Sequence, residues 1–322
     1  MLPINKRTAL FLSRMGARGV LGQAVYDMAK DGLEFYALSA DLSTASGFDR
    51  LKKDYPDKFL NAGIAEANML GMASGIASSN TPVIATTWAT FASGRIADQV
   101  RNYMGFMKAN VKLIGLDSGF ENNRFGYSHT NGPDVAIMSS IPNIKVISPS
   151  DGMELYFALY SAMEYDGPVY IRLTGGQNLP LIHIEETYKF VPDHAEILAE
   201  GMDIALITYG STLNTVLNVA EHLKEKGLSC SVINMHTIKP IDFDAIEKAC
   251  KSSLIVTVEE HPLYGGLGSI ISSYLVGKDD SPAMEIIASK DLFTPAGNYE
   301  YALSYNGLTE EDIIKRICCR VK

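Results

Sequence analysis

The chain has few cysteines and no arrangement of them that organises chemistry. Its 322 residues include four, Cys230, Cys250, Cys318 and Cys319, with no Cys-x-x-Cys pair. No His/Cys metal spacing occurs either, so a disulfide scaffold and a thiolate metal centre are excluded and reduced thiols are expected. Positive charge is in deficit. The 28 Lys+Arg residues face 37 Asp+Glu, a net charge of −9, and the basic stripe that a nucleic-acid surface needs is missing. No run approaches the ~20 apolar residues of a membrane-spanning helix. The apolar patch in MLPINKRTALFLSRMG is interrupted by Arg14 too early for a secretory signal. A cytoplasmic protein is expected, with no nucleic acid and no membrane among its partners. Walker A and serine nucleophile-elbow motifs are also absent. The glycine run YGGLGS (264–269) fails the G-x-G-x-x-G spacing and predicts a close strand-to-helix turn instead.

What is present is α/β rhythm. Strand-like runs at 33–39, 82–86, 111–116, 145–148 and 169–173 read as buried strands. Helical stretches lie between or beside them at 7–31, 65–79, 94–109, 134–140 and 151–164. Residues 179–200 break the rhythm and predict a linker. Strands then resume at 204–208, 230–234, 254–259 and 284–288, with helices at 211–227, 242–251, 267–276 and 309–319. The expected fold class is α/β: two three-layer α/β domains with mostly parallel sheets, at 1–178 and 201–322.

Three segments carry candidate chemistry. From Phe59 to Gly94 the only charged side chain is Glu66. A carboxylate in the first turn of a helix is favoured by the dipole by roughly 0.3–1 kcal/mol, which is the plain explanation. Its helical face is otherwise Met69, Leu70 and Ala73, so it is also a candidate for hydrogen bonding to a ligand nitrogen. Trp88 and Phe91 in TTWATFASGR follow a strand at the edge where open α/β sheets bind ligands, and aromatics there can stack on a planar heterocycle or simply pack. His129 lies in the polar loop GYSHTNGPD, where it could act as acid, base or hydrogen-bond donor, or be a solvated loop histidine.

In this order, GIAE (63–66), TTWATFASGR, the SHT loop and IPNIKVISPSD (141–151) resemble the pyrimidine-binding and C-terminal domains of transketolases, most closely the separately encoded C-terminal half of a split transketolase. The resemblance is collinear over nearly the whole chain. It implies thiamine diphosphate as cofactor. Glu66 would face N1′ of its aminopyrimidine, with Ile64, Trp88 and Phe91 also binding the cofactor. His129 would be catalytic, contacting the reacting end of a sugar, and Arg18 and Arg172 would hold a substrate phosphate. The family places its diphosphate and Mg²⁺ ligands in a GDG…Asn motif on a preceding domain, and this sequence contains no GDG. The resemblance therefore implies no metal ligand in this chain, Mg²⁺ ligands on an N-terminal transketolase subunit, and self-association into an α₂β₂ assembly. The expected activity is transfer of a two-carbon ketol unit from a ketose to an aldose, on sugar substrates. The alternatives are a 1-deoxyxylulose-5-phosphate synthase-like or 2-oxo acid dehydrogenase beta-type component, or a non-catalytic regulatory or assembly subunit. Several positions depart from common transketolases. Leu116 stands for a phosphate-contacting histidine, Arg124-Phe125 for an acidic pair, and Gly94 for an aromatic, which points to a non-standard sugar.

Overall fold

The structure, a computed structural model, describes residues 1–130, 132–174, 176 and 178–321. Strands β1 (Tyr36–Ser39), β2 (Phe59–Asn61), β3 (Val83–Trp88), β4 (Val111–Leu116), β5 (Lys145–Ile147) and β6 (Val169–Arg172) precede the expected linker. Strands β7 (Glu196–Ala199), β8 (Ile204–Thr208), β9 (Cys230–Asn234), β10 (Thr237–Lys239), β11 (Leu254–Pro262) and β12 (Ala283–Ser289) complete the set. They form two sheets, of order β10-β5-β6-β4-β3-β1-β2 and β12-β11-β8-β9-β7. Among the described residues every pairing is parallel except β10 with β5 and β7 with β9. The central strands β4 and β8 are buried at every position, as parallel strands covered on both faces must be.

Alternate residues of the first sheet feed opposite layers. Ala37, Ile84 and Ile114 pack with Leu12, Val25 and Met28 of the helix Lys6–Lys30, whereas Leu38, Ala85 and Leu113 pack with Met69 and Leu70 of the helix Glu66–Ala77. The second of these cores runs on into the other sheet through Ala205, Ile207, Ile233 and Ile255. The far face of that sheet is covered by the helices Thr212–Glu225 and Glu310–Arg320. Among the described residues no helix is long and apolar enough to cross a membrane.

Several elements differ from the sequence expectation. The helix Lys6–Lys30 is broken at Gly16 (φ +71°, ψ 168°), a conformation that glycine alone adopts cheaply, and the break carries Arg18 toward a cavity. The stretch expected as a helix over 94–109 is instead two wide π-helical segments, Phe91–Arg95 and Val100–Phe106, around a short α-turn, Ala97–Gln99. The segment 179–200 ends in β7, an edge strand of the second sheet, and β10 crosses back to extend the first. Both are too short to show an alternating pattern.

The same segment is pinned by His183. Its Nε2 lies 2.8 Å from Glu196 Oε2 and its Nδ1 3.0 Å from Asp151 Oδ1. Burial alone would lower the ring's pKa, but the close carboxylates of Asp151 and Glu196 and the charge of Glu154 outweigh it and push it up to about 11. The folded-state pKa exceeds the ordinary ~6.5, so the clamp contributes fully below about pH 6.5 and is lost as pH rises from there toward 11. In urea unfolding, wild type is expected to exceed His183→Gln most at pH 6. The gap should shrink by up to ~1.4 kcal/mol per pH unit above that. A gap that stays constant from pH 6 to pH 9 would refute the charged clamp.

Candidate active site at the carboxyl edge of the first sheet

The carboxyl ends of β2, β3 and β4 meet along one edge, the position at which open α/β sheets hold ligands. A tight turn at Gly63 (φ +73°) leads from β2 into the helix Glu66–Ala77. Asn61 Oδ1 secures it by accepting the N–H groups of Gly63 and Asp41, each at 3.0 Å. Ile64 at its tip is 79% exposed. Glu66, in the first helical turn, is 4% exposed. It is not alone as the sequence suggests: Arg95 Nη1 donates to its Oε1 at 2.7 Å.

Arg95 reaches Glu66 because of the π-helical turn. The Ile96 N–H bonds the Phe91 carbonyl five residues back at 3.2 Å, a widened turn of the kind common at functional sites. Within it the Arg95 guanidinium lies 3.7 Å from the Phe91 ring centroid. Phe91 also meets His129, centroid to centroid at 5.5 Å and edge-on, and His129 meets Phe125 at 5.6 Å. The histidine loop is held by Thr130 Oγ1, which bonds Asn123 Oδ1 at 3.1 Å and the Gly126 carbonyl at 3.0 Å. Of the residues predicted from sequence, Glu66, Phe91 and His129 thus fall in one contiguous cluster.

Trp88 belongs to a second group. It packs against the core on the other side of the sheet, and the Arg18 guanidinium sits 5.2 Å from its ring. Arg18 forms a forked pair with Asp117, Nε to Oδ1 at 2.8 Å and Nη2 to Oδ2 at 2.5 Å. Arg18, Glu121, Arg124, Gly176 and Tyr299 line a cavity of about 740 Å³ beside this pair. Burial pushes the Glu121 carboxyl up to about 7, helped by the charges of Asp117 and Glu260 and opposed by Arg18 and Arg124.

Arg172 is not among the residues that line this cavity. It is 1% exposed, and its Nε bonds Asp134 Oδ2 at 2.9 Å while its Nη2 bonds the Glu260 carbonyl at 2.8 Å. These two donors are engaged inside the protein and tie β6 to the end of β11, which gives Arg172 a structural task. The YGGLGS turn is as expected. The carboxylate of Glu259 accepts the N–H groups of Leu267 and Gly268 at 2.8 and 2.9 Å, capping the helix Leu267–Leu275 from within.

Sequence reasoning did not single out Arg95, Asp117 or Glu121. The signals available were the spacing of four between Phe91 and Arg95 and the aspartate directly after the strand-like run VKLIGL. Leu116, noted as a departure, is fully buried, and a Cβ at Gly94 would meet no atom within 4 Å.

This architecture has close relatives. Residues 13–179 match the transketolase pyrimidine-binding domain and residues 193–313 the transketolase C-terminal domain. A protein of Methanocaldococcus jannaschii, named provisionally as a transketolase C-terminal section, is 35% identical over 95% of this chain and 96% of its own length. A 6-deoxy-6-sulfo-D-fructose transketolase subunit from a Clostridium species is 34% identical over 87% of this chain and 86% of its own. A solved structure described as a split-gene transketolase, inactive beta4 tetramer, superposes with a TM-score of 0.84 at 30% identity, covering 95% of this chain and 97% of that one. By sequence and by fold, then, this chain belongs to the transketolase family and spans its pyrimidine-binding and C-terminal domains.

Proposed function

We propose that this chain is the C-terminal subunit of a two-component, cytoplasmic transketolase that moves a two-carbon ketol unit from a ketose to an aldose using thiamine diphosphate. The observation that carries the reading is the pairing of a buried carboxylate, Glu66, with an aromatic face, Phe91. A planar N–H donor already satisfies both at once: the Arg95 guanidinium bonds Glu66 at 2.7 Å and stacks on Phe91 at 3.7 Å. An aminopyrimidine is likewise planar and offers ring nitrogens in its plane, so the residues fit it. When bound, thiamine diphosphate supplies the nucleophilic carbon that carries the two-carbon unit between sugars.

Glu66 holds the proton at pyrimidine N1′, in a site whose low polarity strengthens that hydrogen bond. Phe91 covers one ring face and Ile64 closes the entrance. Trp88 backs the pocket from the other side of β3. His129, held against Phe91 and Phe125, presents its imidazole to the hydroxyl and carbonyl oxygens of the sugar and can exchange a proton there. Arg18, fixed by Asp117, offers cationic donors to an anionic sugar terminus in the adjoining cavity. Arg124 adds a second cation to that cavity, where the family has an acid. This supports a ketose outside the common pentose phosphates, and the naming of one relative for a sulfonated sugar agrees with it.

The diphosphate and Mg²⁺ fall to a partner, an N-terminal transketolase subunit, in an α₂β₂ assembly. The missing GDG motif supports this, as do two exposed apolar side chains at the site, Ile64 at the tip of the Gly63 turn and Phe125 beside His129. The test is co-purification with the neighbouring gene product followed by calorimetric titration. The pair is expected to bind thiamine diphosphate in a Mg²⁺-dependent manner, and this chain alone is not. A stable pair with a GDG…Asn motif that binds no cofactor would overturn the reading. Brisk turnover of xylulose 5-phosphate with ribose 5-phosphate would overturn the unusual-sugar part alone.

A further inference from the structure

We propose that Arg95 is a resident occupant of the pyrimidine subsite, which neutralises Glu66 and covers Phe91 in the free subunit and leaves when the cofactor enters. This rests on the assignment of Glu66 and Phe91 to the cofactor. Both contacts that recommend these residues for an aminopyrimidine are made by one side chain of the same chain. The guanidinium cannot share them with a second flat ring: one face of Phe91 and Glu66 Oε1 are taken together.

Arg95 is also built to leave. Its side chain is 48% exposed, against 4% for Glu66, so its outer edge already faces solvent. Its backbone sits at the end of the Phe91–Arg95 π-turn, next to Gly94, around whose Cβ position there is open space. Rotation of the side chain alone can therefore take it into water without moving the sheet. Glu66 has no such freedom, because its helix is packed through Met69, Leu70 and Ala73. The cation thus serves the free subunit by keeping a buried carboxylate compensated, which an unpaired charge there would not be. The cost falls on the cofactor: only the fraction of molecules with Arg95 displaced can bind, and the apparent affinity is reduced by that fraction.

The experiment compares wild type, Arg95→Met and Glu66→Gln, each assembled with the N-terminal subunit, by calorimetry and by quenching of the lone tryptophan, Trp88, with thiamine diphosphate at saturating Mg²⁺. Methionine keeps an apolar stem over Phe91 and removes the competing donor. Arg95→Met is expected to lower the Kd by about tenfold, whereas Glu66→Gln raises it. An Arg95→Met Kd equal to or above that of wild type overturns the inference while leaving the cofactor assignment standing. Absence of binding by the wild-type pair overturns both. Should Arg95→Met not assemble, a crystal structure of the wild-type pair with thiamine diphosphate decides. Arg95 is expected away from Glu66 there, and an intact Arg95–Glu66 bond beside bound cofactor would overturn the inference.

Discussion

Glu66→Gln is expected to lower turnover by the assembled pair by ~10²–10⁴-fold, the range for losing a positioned proton-transfer group, while the chain remains folded. Glutamine fills the same volume. Its loss of charge frees only Arg95, which is half exposed and pairs with water instead, so the stability change should stay within ~1 kcal/mol. The informative comparison is therefore turnover of a ketose donor against thermal midpoint in the same preparation. A glutamine variant that keeps more than a tenth of wild-type turnover would remove Glu66 from the chemistry and revive a non-catalytic subunit as the better description. Loss of both activity and folding would instead mark Glu66 as structural.

Arg172→Met is expected to act in the opposite sense, on stability before catalysis. The arginine and Asp134 are both essentially inaccessible, and Tyr170 Oη donates to the same carboxylate at 3.0 Å. Removing one partner leaves a buried charge and the Glu260 carbonyl without their donor, and breaking such a pair typically costs ~3–5 kcal/mol. Arg172→Met/Asp134→Asn removes both charges and should recover part of the loss. Urea unfolding of the three proteins measures this. A phosphate contact would behave differently: the single variant would unfold like wild type, and the KM for a phosphorylated sugar would rise. Those two results together would establish the role that the family resemblance assigned to Arg172.

The contrast between these two residues shows how far the sequence reaches. Strands β4 and β8 were legible because largely apolar runs between turn signals, broken in β4 only by Lys112, have few other uses, and Glu66 because a lone carboxylate in an apolar stretch is conspicuous. The edge strands β2, β7 and β10 were not, because three or four residues carry no usable period. The π-turns after Phe91 were read as an ordinary helix, since nothing in residue type distinguishes a five-residue hydrogen bond from a four-residue one. Partnership was the least legible property. Arg18, Arg95 and Arg172 are alike in sequence, yet one is forked onto an aspartate beside a cavity, one rests on the candidate site and one is sealed between two domains. Which acid each meets depends on contacts between elements distant in the chain.

The return of β10 to the first sheet bears on where this protein can be cut. A gene encoding residues 1–178 alone would deliver a sheet whose β5 edge is bare, with a row of unpaired backbone groups open to any other extended chain. The remaining piece would carry a stray strand and half of the core that runs through Leu113 and Ile207. Separate expression of the halves would thus yield aggregating fragments rather than two working modules. Evolution or an engineer dividing a transketolase has no workable seam at the apparent joint in the middle of this chain.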